Sequence, residues 1–344
     1  MKTNLNGRLF NLSIQRRLML TGLVVALALL PACAGAPTAN KSDKPAEIRL
    51  DYATYNLSSL VLKKYGWLEE EFSKDGIRIT WLFSAGSNKA NEYISSNSAD
   101  LASTAGAAAL LARTNGVPLK TVYVYSKPEW TALVVPGASA IQSIADLKGK
   151  KIAATRGTDP FFFLLRSLKQ AGLSQSDVEI VNLQHGDGRL ALQKGDVDAW
   201  AGLDPHMAAA ELQDGARLLY RNIDLISFGT LNAREEFAQQ YPDLLTRILA
   251  QYERARRWIL ENREEAAKLL AEEAKIDLEI ARRQITERTV LDKDVGVPGP
   301  ALRTALEAVV PILVSEKLVA GNADPSAALS SLIDPTFAQQ AVQR

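Results

Sequence analysis

Five consecutive residues, Arg156-Gly157-Thr158-Asp159-Pro160, have the types and spacing to hold an anion. A short apolar strand over residues 151–154 runs into them. A helix runs out of them, with Asp159 as its N-cap and Pro160 at its first position. Such a junction turns free backbone N–H groups and the positive end of a helix dipole toward the loop, where Gly157 gives the turn and Thr158 a hydroxyl. Bond-making chemistry has less to work with. The chain carries two histidines, His185 and His206, and one cysteine, Cys33. Two isolated histidines do not make a metal site, and no Gly-x-Ser-x-Gly elbow accompanies a triad. His185-Gly186-Asp187-Gly188 reads as a polar turn before a helix over 188–194. These residues suit binding without turnover, and no cofactor or metal is called for.

The elements that must position this loop lie behind a leader. Residues 1–17 carry Lys2, Arg8, Arg16 and Arg17 and no acid, residues 18–30 form an apolar run, and small residues follow. That order is a secretory signal over 1–32, with an apolar run too short to span a bilayer comfortably. Leu30-Pro31-Ala32-Cys33 resembles a bacterial lipobox, which makes Cys33 a candidate for lipidation and places the protein in the periplasm, anchored to a membrane. With the four basic residues of the leader removed, 36 basic residues face 39 acidic ones, and nothing suggests a nucleic-acid surface. Residues 33–46, small, polar and proline-bearing, read as a tether.

From residue 47 short apolar strands alternate with helices, the pattern of an α/β chain with largely parallel sheets. Strands are expected at 47–52, 77–83, 99–103, 121–125 and 131–135, with helices over 60–73, 88–95 and 105–113. A second block begins near Ile141. After the anion loop and its helix come strands at 178–183, 197–201 and 217–220 and helices over 188–194 and 206–212, with Trp200 in that block's core. A strand over 226–231 returns to the first block, and 235–318 is helical in pattern, with 247–273 its longest amphipathic run. The expected architecture is two lobes, 47–137 with 225–344 and 138–224, and a ligand cleft between them that closes by hinge motion.

Several motifs in this order resemble a known family. Tyr65-Gly66-Trp67-Leu68-Glu69, Ser98-Ala99-Asp100-Leu101-Ala102-Ser103-Thr104 and Ile144-Ala145-Asp146-Leu147-Lys148-Gly149-Lys150-Lys151 come first. The Arg156–Pro160 loop and Gly195-Asp196-Val197-Asp198-Ala199-Trp200 with Asp204-Pro205 continue the series. Over residues 47–245 the chain resembles the substrate-binding proteins of ABC importers, in the nitrate/sulfonate/taurine group with a type II periplasmic-binding fold.

The resemblance implies capture of a small organic anion, an aliphatic sulfonate or taurine-like compound, by a monomer that delivers it to an inner-membrane ABC permease. Nitrate, a thiamine-pathway pyrimidine or another small solute are the alternatives, as are a pyrimidine-synthesis-like enzyme on the same fold and a solute sensor. It implies ligand contacts from Tyr55, Asn56 and Ser58 in the first loop and from Ser103 and Thr104 beyond a strand. Gly157, Thr158, Asp159 and Phe161 would follow in the anion loop, Asp204 and His206 at a helix start, and Trp130 near the hinge. The chain departs from the family pattern at Ala105, where relatives carry glycine, and at Leu203 and His206, which stand in place of aromatic residues.

Overall fold

The structure is a computed structural model describing residues 44–343, so the leader, Cys33 and most of the tether lie outside the described residues. Order begins at β1 (Glu47–Tyr52), where alternation buries Ile48 and Leu50 and leaves Glu47 and Arg49 partly open. Helix α1 (Leu57–Tyr65) is capped by Asn56, whose Oδ1 accepts from Ser59 N at 3.3 Å. Gly66, at φ 64°, takes the left-handed conformation that ends α1 and starts α2 (Trp67–Ser73). Then come β2 (Arg78–Phe83), α3 (Ser87–Ser95), β3 (Leu101–Ala105), α4 (Gly106–Thr114) and β4 (Leu119–Ser126).

The second lobe holds β5 (Thr131–Val135), β6 (Lys151–Ala154), α5 (Asp159–Gln170), β7 (Glu179–Asn182), α6 (His185–Lys194), β8 (Ala199–Leu203), α7 (His206–Gln213) and β9 (Arg217–Tyr220). The chain returns through β10 (Gly229–Arg234) to α8 (Glu235–Gln240), α9 (Pro242–Glu261), α10 (Arg263–Ala274) and α11 (Leu278–Arg282). Short helices between Pro300 and Ala341 complete the described chain.

Each lobe is built on a five-stranded sheet, ordered β2-β1-β3-β10-β4 and β7-β6-β8-β5-β9. In each, one strand runs against the rest: β10 pairs antiparallel with β3 and β4, and β5 pairs antiparallel with β8 and β9. Both reversed strands are the first element after the chain crosses from the other lobe. This is the mostly parallel, two-lobed α/β architecture of a type II periplasmic-binding fold.

The observed boundary differs from the expected one. Residues 131–135 belong to the second sheet, with Val134 paired to Trp200, so the crossing lies between Ser126 and Thr131 rather than near residue 138. The strand is buried on both faces, and such a run fits either sheet equally well. The helical stretch after 235 is also interrupted. Asn262 separates α9 from α10, and residues 288–299 leave the helical path to run beside the hinge. There Val124 and Gly296 exchange hydrogen bonds of 2.9 and 2.7 Å, Lys127 N donates to Val290 O at 2.9 Å and Glu129 N to Arg288 O at 2.8 Å. Three chain segments therefore lie side by side where the lobes meet. Trp200 occupies the second lobe's core, as expected.

Candidate functional site

The strands that feed helices end at the cleft, so the N-termini of α1, α3, α4, α5, α6 and α7 follow directly on β1, β2, β3, β6, β7 and β8. Two small cavities lie there, each with room for about one water, and they share Tyr55 and Trp130. The hinge-side cavity meets Ser58, Tyr125, Ser126, Asp204, Gln284 and Arg288. The helix-side cavity meets Ser87, Thr158, Asp159, Pro160, His185 and Leu203. Tyr55 stands edge-on to Trp130, ring centroids 6.1 Å apart, and the Tyr55 hydroxyl donates to Ser103 O at 3.1 Å. A wider depression, about 620 Å³ between α2 and α9, shares no residue with either cavity. In its wall Arg247 is already paired with Glu71 and with Asp75 beside it.

The structure brings six of the expected residues to these cavities: Tyr55, Ser58, Trp130, Thr158, Asp159 and Asp204. The Ser58 hydroxyl is buried without a partner. Thr158 is the N-cap residue of α5, and its hydroxyl donates to Thr155 O at 2.6 Å. Asp159, expected as that cap, sits inside the helix start and takes another role. Its carboxylate accepts from Trp130 Nε1 at 2.8 Å, from Ser227 Oγ at 2.5 Å and from Ser227 N at 3.2 Å. Burial raises its pKa, and those donors oppose the rise. Gly157, at φ 76°, turns the loop toward Asn88 of the first lobe; a Cβ built there would stand 3.9 Å from Asn88 Cβ.

Five expected contacts lie behind or beside the cavities. Ser103 gives both N and Oγ to Asp51 Oδ1, each at 2.7 Å. Thr104 is held inside the first sheet, its hydroxyl donating to Ala105 O at 2.9 Å and accepting from Asn232 Nδ2 at 2.8 Å. Asn56 caps α1 through its Oδ1, and its Nδ2 is buried without a partner. Phe161 is core, with the Arg156 guanidinium 5.2 Å above its ring. His206 points away, toward the start of α6: a Cβ at Gly186 would meet its ring at 3.4 Å.

His185 takes the place expected of His206. It is buried at the helix-side cavity, its Nδ1 3.2 Å from Thr155 Oγ1 and its Nε2 without a partner. A Cβ at Gly86 of the first lobe would stand 3.1 Å from that Nε2, so the lobes approach closely here. Burial pushes the ring down to about 3, with His206 adding to the effect, so it is neutral at pH 7. Sequence reasoning passed over it because a Gly-rich polar turn accounts for the same four residues. Ser87, Ser126, Gln284 and Arg288 also carried no motif; Arg288 sits in a stretch whose Glu/Arg pattern reads as a solvated face.

Asp51, beneath the first loop, is fully buried, and desolvation lifts it to about 7 against the donors from Ser103. A carboxyl raised from its ordinary value near 4 keeps its proton in the folded chain after the unfolded chain has lost it. Its contribution is therefore full below pH ~4 and declines as pH rises through 7, by about 4 kcal/mol in all. Asp51→Asn is expected to flatten the fall in melting temperature between pH 5 and 8. A variant whose melting curve tracks the parent's across that range would show that Asp51 is not the titrating group.

Among the described residues no group of three His, Cys, Asp or Glu side chains is placed to hold a metal ion. The cleft offers hydroxyls, helix N-termini and the Arg288 guanidinium, donors that suit an oxyanion, beside the carboxylates of Asp159 and Asp204, which other protein groups already hold.

Comparison with known proteins points the same way. Residues 60–266 match the family described as NMT1/THI5 like. Over 85% of its length, and 82% of the relative's, the chain is 31% identical to an aliphatic sulfonates-binding protein of Escherichia coli (strain K12). It is similar to the alkanesulfonate-binding protein of Xanthomonas axonopodis pv. citri bound to MOPS, with TM-score 0.75 and 26% identity over 83% of this chain and 98% of that one. The crystal structure of the periplasmic aliphatic sulphonate binding protein of Escherichia coli gives TM-score 0.73 and 27% identity over 85% and 94% of the two chains.

Proposed function

Because the chain belongs to the NMT1/THI5 like family, we propose that it is the extracytoplasmic solute-binding component of an ABC importer and captures a small organic sulfonate between its lobes. The observation that carries this reading is the hinge-side cavity. It is lined by residues whose buried donors have no partner: the hydroxyls of Ser58, Tyr125 and Ser126, and Arg288 Nε. Buried donors left unpaired are costly, and a group with three acceptor oxygens satisfies several at once. The organic part of the ligand then meets Tyr55 and Trp130, whose edge contact parts when the lobes separate and re-forms around the solute. The solute leaves unchanged, because the cleft holds donors and a neutral histidine but no activated nucleophile.

The same reading covers location and delivery. The protein acts outside the cytoplasm as a monomer that docks on an inner-membrane permease, and a lipid on Cys33 holds it at the membrane; recovery of all the protein in the soluble fraction of cells would refute that anchor. The ligand is tested by thermal shift with alkanesulfonates, nitrate, carboxylates and a pyrimidine. At ~100 times its dissociation constant a true ligand adds ~2.7 kcal/mol of stability. A sulfonate is expected to raise the melting point most. A response confined to nitrate or the pyrimidine would replace the sulfonate, and turnover of any compound would replace the binding reading.

A further inference from the structure

Arg288 is 2% exposed and belongs to the segment that lies along the hinge, its carbonyl fixed by Glu129 N at 2.8 Å. Its side chain reaches into the second lobe. Nη1 donates to both oxygens of Asp204, at 2.9 and 3.2 Å, and Nη2 donates to Glu211. Asp204 also accepts from Ala208 N at 2.9 Å, so its carboxylate is fully engaged. The guanidinium edge that remains, Nε–H, has no partner and belongs to a residue lining the hinge-side cavity. Three hydroxyls without partners, those of Ser58, Tyr125 and Ser126, line the same cavity, and each of these residues is at least nine-tenths buried.

We propose that Arg288 is at once the cation that receives the sulfonate and the latch that holds the lobes together, its Nε–H donating to the ligand while its fork grips Asp204 and Glu211. The proposal rests on the sulfonate reading above and narrows it. A ligand ammonium group needs a free carboxylate, and the acids at the cavities are taken: Asp204 by Arg288 and Ala208, and Asp159 by Trp130 and Ser227. The preferred solute is therefore an alkanesulfonate without an amino group. Lysine cannot replace this arginine, because an ammonium presents neither the fork nor the lateral N–H.

The test is calorimetric titration of the purified protein with ethanesulfonate and with taurine, two sulfonates of similar size. Ethanesulfonate is expected to bind about tenfold more tightly, and taurine binding as tightly or more so would overturn the selectivity. Arg288→Lys is expected to weaken ethanesulfonate about tenfold or more, the scale of one charge-assisted hydrogen bond. Removing a buried arginine leaves two acids behind, so the paired variant Arg288→Gln with Asp204→Asn, which removes one charge of each sign, serves as the folded control. Its melting curve shows that it folds, and its affinity is expected to fall as far as that of Arg288→Lys. Unchanged affinity in the folded pair would overturn the role of Arg288 while leaving sulfonate binding in place. An unmutated protein that binds neither compound would overturn both readings.

Discussion

Asp159→Ala is expected to lower the unfolding free energy by about 3 kcal/mol and to loosen the grip of the two lobes on any ligand. The carboxylate joins three parts of the molecule: the start of α5 in the second lobe, Trp130 on one hinge segment and Ser227 on the other. The chain of bonds continues into the first lobe, because Ala107 N at the start of α4 donates to Ser227 Oγ at 2.9 Å. Alanine leaves the Trp130 indole N–H and the Ser227 N–H buried without partners, at about 1–3 kcal/mol each. Relief of the acid's own desolvation offsets part of this, since burial raises its pKa. Asp159→Asn keeps an acceptor and should lose about 1 kcal/mol. Urea unfolding followed by tryptophan fluorescence separates the three proteins, and coincident midpoints would show that this relay carries no stability.

Gly229→Ala is expected to be as damaging to binding as a change in a contact residue, although Gly229 lines neither cavity. A Cβ there would fall 2.4 and 2.5 Å from atoms of the Tyr125 ring and 2.7 Å from Ser126 Oγ. Both are cavity residues, and both are buried. The ring must move, and its route of retreat is the cavity. Overpacking of this kind costs about 1–3 kcal/mol, and displacement of two donors should weaken sulfonate affinity about tenfold. Melting and titration of the same preparation read the two effects separately. Full affinity in the variant would place the ligand away from Tyr125 and Ser126.

The lobes, their order and most strands could be read from the chain, because alternation of strand and helix is a local pattern. The strand–turn–helix junction at 151–170 was legible for the same reason: strand, glycine, Thr158 and Pro160 are adjacent, and Thr158 and Pro160 line the helix-side cavity. What failed was direction and partnership. Thr104 stands at the right place along β3, but its hydroxyl turns to Asn232, 128 residues away. His185 and His206 each open a helix of the second lobe, and only the fold decides which ring enters the cleft. The sheet that receives β5 depends on pairing with Trp200 and Tyr220, which its own five buried residues do not encode. Arg288 is the hardest case, since an arginine among glutamates looks the same whether it faces water or a buried aspartate.

The segment bonded alongside the hinge has a mechanical consequence. Two crossing chains alone can bend and also twist, so two bodies joined by them can rock in several directions. A third chain, tied at Val124, Lys127 and Glu129, makes the joint a laminated strip that resists torsion more than flexure. Such a joint favours opening about one axis, as the covers of a book do, over twisting. Closure about such a joint gives one closed shape rather than a family of them.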